Sequence, residues 1–537
     1  MPVLKFNPER IMNLTGLGIN ALEEALFSLK CETSINNENQ LEVEINPDRP
    51  DMFIGEGIAR AVKGIIGNEI GFKEYDYENT KFKLVNESPF SRPIISAAVI
   101  YNVNLDNDFL VELIQFQEKL HEGIGRKRRK VAIGIHDLSK VPSNELKYKD
   151  VNIYNKMVPL GSSNYTSIQE ILKNTDQGIK YGSISLRGNL HPAFISGDEI
   201  ISLPPVINSN TTRLDEKTRD LLIDVTGTDP YYVNKTLDII VSNLAERKDA
   251  KIGKVEIVEK ENIKYTPFME KEEKIINPDY VNEILGEKLI GEEIAYHLMR
   301  MRYNVSLDNN EIKVIIPPFR ADIISDIDLI EDIAMSIGYN IIKPNKPKVM
   351  LRGSLTDMTM LKRKIRDIMI GLGFTEIQSL TLVSSRILKD LGEQNYIEVL
   401  NPVTNDFDSL RPNLFVSMIM AMKSNVMSSK PVKLFEIGKI VEKVSGKPLD
   451  KERISIAIMD ESLSYEDIQS VVYSLLKLLN LEFKVLSSSN KFLIKGRSAD
   501  LIINNKPVGF FGEVNPYILE KFSLEYPIVY GELDLGG

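Results

Sequence analysis

Tryptophan is absent from this 537-residue chain, cysteine occurs once and histidine four times. The lone thiol, Cys31, has no partner in the chain, so an internal disulfide is excluded; it reads as a small buried hydrophobe in a reducing compartment. One cysteine and four scattered histidines give no ligand set for a structural zinc ion. No apolar run approaches the roughly 20 residues that a membrane helix needs. The opening MPVLKFNPER carries no apolar leader core. A cytoplasmic location without membrane attachment is expected. A cationic excess is missing too: the net charge is −10. That argues against a surface coated in nucleic acid, since phosphate contacts need Lys and Arg. It leaves room for a local basic patch, and the clearest is RKRRK, Arg126 to Lys130.

What is present is the composition of a soluble globular protein, 43% hydrophobic and 26% charged. The length suits about three or four domains. The chain also echoes itself. NPERIMNLTG from Asn7 returns as NPDYVNEILG from Asn277, and LEVEINPDRPD (Leu41 to Asp51) returns as IKVIIPPFRAD (Ile312 to Asp322). The offset stays at roughly 270 residues, so one small module is used twice. After the shared Arg-x-Asp the copies part. The first continues MFIGEGIARAVKGIIG and the second IISDIDLIEDIAMSIG.

Four domains are expected. Residues 1–85 hold the first copy, read as helices plus a strand pair, with a helical break at Gly16 and Gly18. Residues 86–265 alternate strands and helices, a mixed α/β domain. Residues 270–345 hold the second copy. The Pro- and Lys-rich KPNKPK (Lys343 to Lys348) reads as a linker. Residues 350–537 open with a helix and continue as a largely antiparallel sheet, an α+β domain.

In the second copy, Asp328, Glu331 and Asp332 stand at i, i+3 and i+4 on a helix starting near Ser325, so they share one face. Asp322 reaches that end from the preceding turn. Four such carboxylates repel one another unless protonated or countered by a cation. Hard oxygen ligands without His or Cys favour Mg²⁺ over zinc. The competing reading is helix capping: acidic residues in a first turn complement the helix dipole, and Ser325 with Asp328 fits a capping box.

In the middle domain, RKRRK lies between an amphipathic helix and a strand, and reads either as a phosphate-backbone contact or as a solvated loop. LPPVINSNTTRL is a polar loop whose Asn208, Ser209, Asn210 and Thr211 either bind a polar ligand or make the turn. Asp224, inside the strand LLIDVTG, is unusual and faces a pocket if it is functional. His121, His136 and His191 lack Ser-His-Asp or Cys-His spacing and read as structural.

Taken together, NPDRPDMFIGEGIAR, HEGIGRKRRKVAIGIHDL, LPPVINSNTTRL with DVTGTD, PPFRADIISDIDLIEDIAMSIGYN, LNPVTNDFDSLRPNL, KLFEIGK and FGEVNP resemble the phenylalanyl-tRNA synthetase β subunits, in their shorter archaeal and eukaryotic form. They run in family order over nearly the whole chain. The resemblance implies an α₂β₂ heterotetramer that joins phenylalanine to tRNA(Phe) at the expense of ATP, with ATP and the aminoacylation chemistry at the α subunit. It implies two winged-helix-like modules and a middle domain that hydrolyses mischarged Tyr-tRNA(Phe), for which Asn208, Asn210 and Asp224 are the candidate residues. It implies Mg²⁺, shared with the α subunit, on Asp322, Asp328, Glu331 and Asp332. It implies a last domain of class II synthetase fold that has lost its chemistry: Arg411 in SLRPNL matches that fold's arginine motif, but the Gly-x-Gly…Arg element that would hold ATP is lacking. The alternative is a stand-alone RNA-binding protein or trans-editing aminoacyl-tRNA hydrolase.

Overall fold

The computed structural model describes residues 2–260, 262–308, 311–344, 346–347 and 352–536. Asn345 and Lys348 of the expected linker lie outside the described residues. The chain divides into two compact units, Met1–Lys346 and Pro347–Gly537.

The repeat is real at the level of topology. The first copy runs strand Val3–Phe6, helices Pro8–Thr15 and Ile19–Ser28, strands Glu32–Ile35 and Leu41–Glu44, and helix Gly55–Ile65. The second runs strand Glu272–Ile276, helices Pro278–Leu285 and Gly291–Arg300, strands Asn304–Asp308 and Glu311–Ile316, and helix Asp326–Ile337. In each, the last strand is central in a three-stranded antiparallel sheet. The expected strand pair therefore gains a third member. VLKF alternates exposed and buried residues, the period of a half-buried strand, over a span too short to stand out in the sequence. Both copies start their first helix alike: Asn7 and Asn277 cap it with their side chains, Pro follows at the first helical position, and Gly16 or Gly286 ends it in left-handed backbone.

Between the modules lies a ten-stranded mixed sheet. One end of it is made by strands Ile94–Tyr101, Leu221–Gly227 and Val131–Asp137, side by side and antiparallel. Helix Pro230–Leu244 is buried along most of its length, and Asn107–Glu122 packs its apolar stripe into the same core. That core is continuous with both modules, so the first unit has one main interior rather than three. Cys31 is free and buried within it, and burial pushes its thiol up to about 12.

The second unit is a seven-stranded sheet with one parallel pairing, Thr375–Glu376 beside Val432–Val444. Helices Asp357–Gly371 and Tyr465–Leu478 close one hydrophobic core and Phe415–Ser424 another. The segments TEIQSLTLV and YIEVLN, part of the expected antiparallel sheet, form only two-residue strands at Thr375–Glu376, Leu382–Val383 and Ile397–Glu398. Their side chains are mostly exposed, so few of them have a core to bury against. No helix among the described residues is long and apolar enough to cross a membrane.

Candidate functional site

The acidic turn of the second module gathers around an arginine. Asp322 accepts a two-pronged bond from Arg320, at 2.8 and 2.7 Å. Asp332 meets Arg320 Nη1 at 2.7 Å and accepts from the Tyr303 hydroxyl at 2.5 Å. Arg320 is buried, which alone would weaken its charge, but the two carboxylates outweigh that and hold its proton more tightly than usual. Asp328 completes a capping box. Its Oδ2 accepts from the Ile324 and Ser325 amides at 2.8 and 2.6 Å and from the Ser325 hydroxyl. Glu331 pairs with Lys30 of the first module at 2.7 Å. All four carboxylates line one cavity of about 390 Å³, with Lys30, Asp48 and Arg49 from the first module and Tyr231 and Tyr232 from the middle domain.

The cation that the carboxylate spacing demands is thus supplied largely from within, by Arg320 and Lys30. Among the described residues no group of three or more His, Cys, Asp or Glu side chains is arranged to hold a metal ion. The quartet suits magnesium by its donor chemistry and not, in this chain alone, by its arrangement. Capping, the competing reading, is present for Asp328.

The first copy makes the same fork and then diverges. Arg49 grips Asp51 at 2.9 and 2.9 Å. Counting on from the shared Arg-x-Asp, Gly57 stands in the place of Asp328, and Arg60 in that of Glu331. A side chain at Gly57 would begin 1.8 Å from the Asp51 carbonyl oxygen, so only glycine fits. The Arg60 guanidinium lies 3.6 Å from Asp51 and 3.6 Å from the centroid of the Phe319 ring of the second copy. One copy uses this helix as a packing surface. The other leaves its start facing a cavity.

A second cavity, about 570 Å³, lies between helix Asn107–Glu122, strand Val131–Asp137 and the 202–214 segment. Asp224, 1% exposed, is on its wall. Its strand neighbour is Gly134, where a Cβ would sit 2.1 Å from Asp224 Oδ1. The missing side chain there makes the space for the carboxylate. Asp224 Oδ1 meets His136 Nε2 at 2.9 Å, and His136 Nδ1 meets the Thr212 hydroxyl at 2.7 Å. The buried imidazole fixes Asp224 in place, a positioning role in keeping with the structural reading of this histidine.

Asn208 lines the same cavity, but both ends of its amide are committed: Nδ2 donates to the Ile135 carbonyl at 3.3 Å and Oδ1 accepts from Ser202 at 2.9 Å. Asn210 is not on the cavity wall. Its Oδ1 accepts from the Gly161 amide at 3.3 Å, and Gly161 itself lines the cavity, so Asn210 shapes the wall from behind. Ser209 and Thr211 bond each other and make the turn.

Four further side chains complete this site. Gln117, Glu118 and His121 come from one face of helix Asn107–Glu122, and Arg128 comes from the basic run. Arg128 bonds Glu118 at 2.5 Å and the carbonyls of Pro205 and Val206 at 3.1 and 3.2 Å, and it covers the Tyr181 ring. Burial would raise the Glu118 carboxyl, but bonds from His121 and Arg128 outweigh it and hold it down at about 2. His121 is kept neutral by burial despite Glu118. Its Nε2 accepts the Ile133 amide at 2.8 Å, and its Nδ1–H donates to Glu118 at 3.1 Å. The i, i+3/4 spacing of residues 117, 118 and 121 was visible in the sequence, but nothing there marked this face as the one turned to a cavity. His191 is buried with its Nε2 unpartnered, and burial pushes it down to about 4.

In the second unit, Arg411 is consumed internally. Its Nη1 lies 2.8 Å from Glu436, both side chains are buried, and its Nε donates to the Lys439 carbonyl at 2.8 Å. Gly438 leaves room for the guanidinium: a Cβ there would stand 2.4 Å from Nη2. An arginine so enclosed has nothing left to offer a phosphate.

Family models identify the class. Residues 275–339 match the tRNA synthetase B5 domain, and residues 342–535 match the phenylalanyl tRNA synthetase beta chain CLM domain, so this is a chain of the aminoacyl-tRNA synthetases. The chain is 44% identical to the phenylalanine–tRNA ligase beta subunit of Aeropyrum pernix, covering 100% of this chain and 98% of that one. It is 41% identical to that of Saccharolobus solfataricus, over 99% and 98%. An N-terminal fragment of the phenylalanyl-tRNA synthetase beta subunit from Pyrococcus horikoshii superposes with a TM-score of 0.60 at 32% identity, covering 63% of this chain and all of the fragment. The chain belongs to the phenylalanine–tRNA ligase β subunit family.

Proposed function

We propose that this chain works as the β subunit of a phenylalanine–tRNA ligase. With an α subunit, in an α₂β₂ assembly, it charges tRNA(Phe) with phenylalanine at the expense of ATP. The cavity at Asp224 hydrolyses tyrosine mischarged onto that tRNA. The observation that carries the editing half is the buried carboxylate on the wall of a 570 Å³ cavity.

Phenylalanine and tyrosine differ by one hydroxyl, and an apolar pocket rejects an added hydroxyl poorly. A second site built to bind that hydroxyl reverses the selectivity. Asp224 suits such a site, because one oxygen is held by His136 and the carboxylate can accept a phenol O–H. A phenylalanyl ester leaves the buried acceptor without that partner, a cost of about 1–3 kcal/mol. Gln117 and the Glu118–Arg128 pair lie on the same wall and are the groups available to hold the ester end and a water. Asn208 and Asn210 act one step back, fixing the strand and loop that shape the cavity. Ser202 and Ser209 line the cavity, but their hydroxyls donate to Asn208 and to the Val158 carbonyl, so the hydrolysis is read as attack by water on the ester carbonyl.

The rest of the assignment follows the same reading. Residues 1–76 and 270–345 serve as winged-helix-like modules, 77–266, from strand Tyr77–Asn86 of the ten-stranded sheet onward, as the editing domain, and 350–537 as a class II synthetase scaffold. With Arg411 enclosed, that scaffold lacks the arginine clamp that stabilises phosphoryl charge, so adenylate formation is assigned to the α subunit. Magnesium, shared with the α subunit, would call on Asp328 and Glu331, the two carboxylates that Arg320 does not hold, and would have to displace the helix cap of the one and the Lys30 pair of the other; bound there, it would supply charge that ties the subunits together.

Co-expression with a candidate α chain tests the whole. A stable heterotetramer that makes Phe-tRNA only when both chains are present, and deacylates Tyr-tRNA(Phe), is the expected result. Hydrolysis of Tyr-tRNA by this chain without any partner requirement for charging would return it to a stand-alone hydrolase. Asp328→Ala with Glu331→Ala is expected to weaken assembly or shift its Mg²⁺ dependence; no change in either leaves the quartet as capping and ion pairing alone.

A further inference from the structure

The five cations of the basic run are divided by the fold: Arg128 turns inward, Lys130 pairs with Asp229, and Arg126, Lys127 and Arg129 turn outward. Arg126, Lys127 and Arg128 all have left-handed backbone, with φ of 47, 54 and 64°. Three non-glycine residues in succession in that region are costly and persist only when their surroundings hold them there. Two things hold them. Gly125 lies so close to the carbonyls of His121 and Val131, 2.7 and 2.8 Å from where its Cβ would be, that no side chain fits. Arg128 is bonded to Glu118 and to two carbonyls of the 205–206 segment. The turn that aims Arg128 into the cavity leaves Arg126, Lys127 and Arg129 exposed beside it. None of these three side chains has an ion-pair partner among the described residues, whereas Lys130 next to them has Asp229 and the Tyr232 ring.

Unpaired cations on a chain of net charge −10, held by strained backbone beside a cavity, are placed to meet a polyanion. We infer that Arg126, Lys127 and Arg129 form a track for the phosphates of a single-stranded RNA end, guiding the strand whose terminal aminoacyl ester enters the Asp224 cavity. This rests on the editing reading for the identity of the ester but not for the contact itself. Each neutralised phosphate of a single strand contributes about −0.7 to the slope of log affinity against log salt, so three contacts contribute about −2. Phosphate contacts carry no base sequence information, so this track would favour any single strand of suitable length, and identity must be read elsewhere.

The test uses the full chain, and the αβ complex where it forms. Binding of uncharged tRNA(Phe) and of a short single-stranded RNA is followed across salt for the wild type, for R126Q/K127Q/R129Q, and for a control of equal charge change at the exposed Lys81, Lys484 and Lys506. The expected result is binding at least about tenfold weaker at low salt, and a slope flatter by about 2, in the first variant only. In parallel, kcat/KM is measured on Tyr-tRNA and on 3′-tyrosyl-adenosine, which has no phosphate. The loss is expected on the tRNA substrate well beyond any loss on the nucleoside ester. Unchanged affinity and slope, or an equal loss in the control, overturns the track. A wild type that hydrolyses neither ester sinks the editing reading while the binding comparison still decides the track.

Discussion

Two cavities in the first compact unit are both lined by carboxylates, and they treat them in opposite ways. At the acidic turn, Asp322 and Asp332 close on the buried Arg320, Asp328 closes on its own helix start, and Glu331 reaches Lys30. At the middle cavity, Asp224 has no arginine or lysine within ion-pair distance among the described residues. It has an imidazole behind it and open space before it. A carboxylate met by a cation has much of its accepting capacity taken up, as Glu118 has by Arg128 elsewhere on the middle cavity's wall. A buried carboxylate steadied on one side only keeps accepting capacity for something that is not part of the chain. The number of acidic residues is thus a poor guide to where chemistry happens; their partners decide it.

The comparison breaks most severely at Arg320. Arg320→Met leaves Asp322 and Asp332 without a counter-charge, and removing one member of a buried pair typically costs about 3–5 kcal/mol. Chemical denaturation should show that loss, and adding Asp322→Asn and Asp332→Asn should recover part of it. No loss in the single variant would mean the cavity is wet enough to solvate both carboxylates.

A smaller effect sharpens the contrast by asking what happens to a buried carboxyl that is poorly matched. Glu112, on the helix that also carries Gln117 and Glu118, lies 3.6 Å from Arg10, and burial raises it to about 7 despite that charge. Asp238 is likewise raised by burial to about 7. Both bind their proton more tightly folded than unfolded. Their contribution is therefore greatest at low pH and is lost as the pH rises to about 7, from 4.5 for Glu112 and from 3.8 for Asp238. Glu112→Gln with Asp238→Asn should flatten the fall in unfolding free energy across that window, measured by urea titration at several pH values; an unaltered pH profile would place the titration elsewhere.

The smallest effect is expected at Lys30→Met. Its pair with Glu331 is about a third to a half exposed, and such pairs are worth about 0–1 kcal/mol. A stability change beyond that range would make the Lys30–Glu331 link between the two modules a structural tie rather than a surface contact.

Much of this was legible in the sequence, for reasons that can be named. The two modules could be seen because the Asn-Pro cap, the glycine stop and the Arg-x-Asp fork each demand particular residues at fixed spacing. The carboxylate face at Asp328, Glu331 and Asp332 was visible because helical spacing is local. That Arg320 lies between Asp322 and Asp332 was not, since it depends on how a turn and a helix meet. Asp224 stood out as a charge inside an apolar strand. Its partners did not: His136 and Gly134 sit on a neighbouring strand, and Thr212 at the end of a loop, joined only by pairing across the sheet. Asn210 looked as good as Asn208, and only the path of the 158–161 loop separates the wall from the layer behind it. Helix Tyr465–Leu478 was missed, although Ser464 and Asp467 form a capping box at its start.

The claim at the centre is that Asp224 reads a hydroxyl. The most direct measurement is the ratio of kcat/KM for deacylation of Tyr-tRNA(Phe) to that of Phe-tRNA(Phe), on the assembled complex, for the wild type and Asp224→Ala, with unfolding curves to confirm an intact fold. A bond from tyrosine to a buried carboxylate is worth about 1.5–3 kcal/mol, so the ratio should collapse by about 10- to 150-fold, mainly through slower tyrosine release. A ratio that survives the substitution in a folded protein would contradict the account and move the specificity to another wall of the cavity.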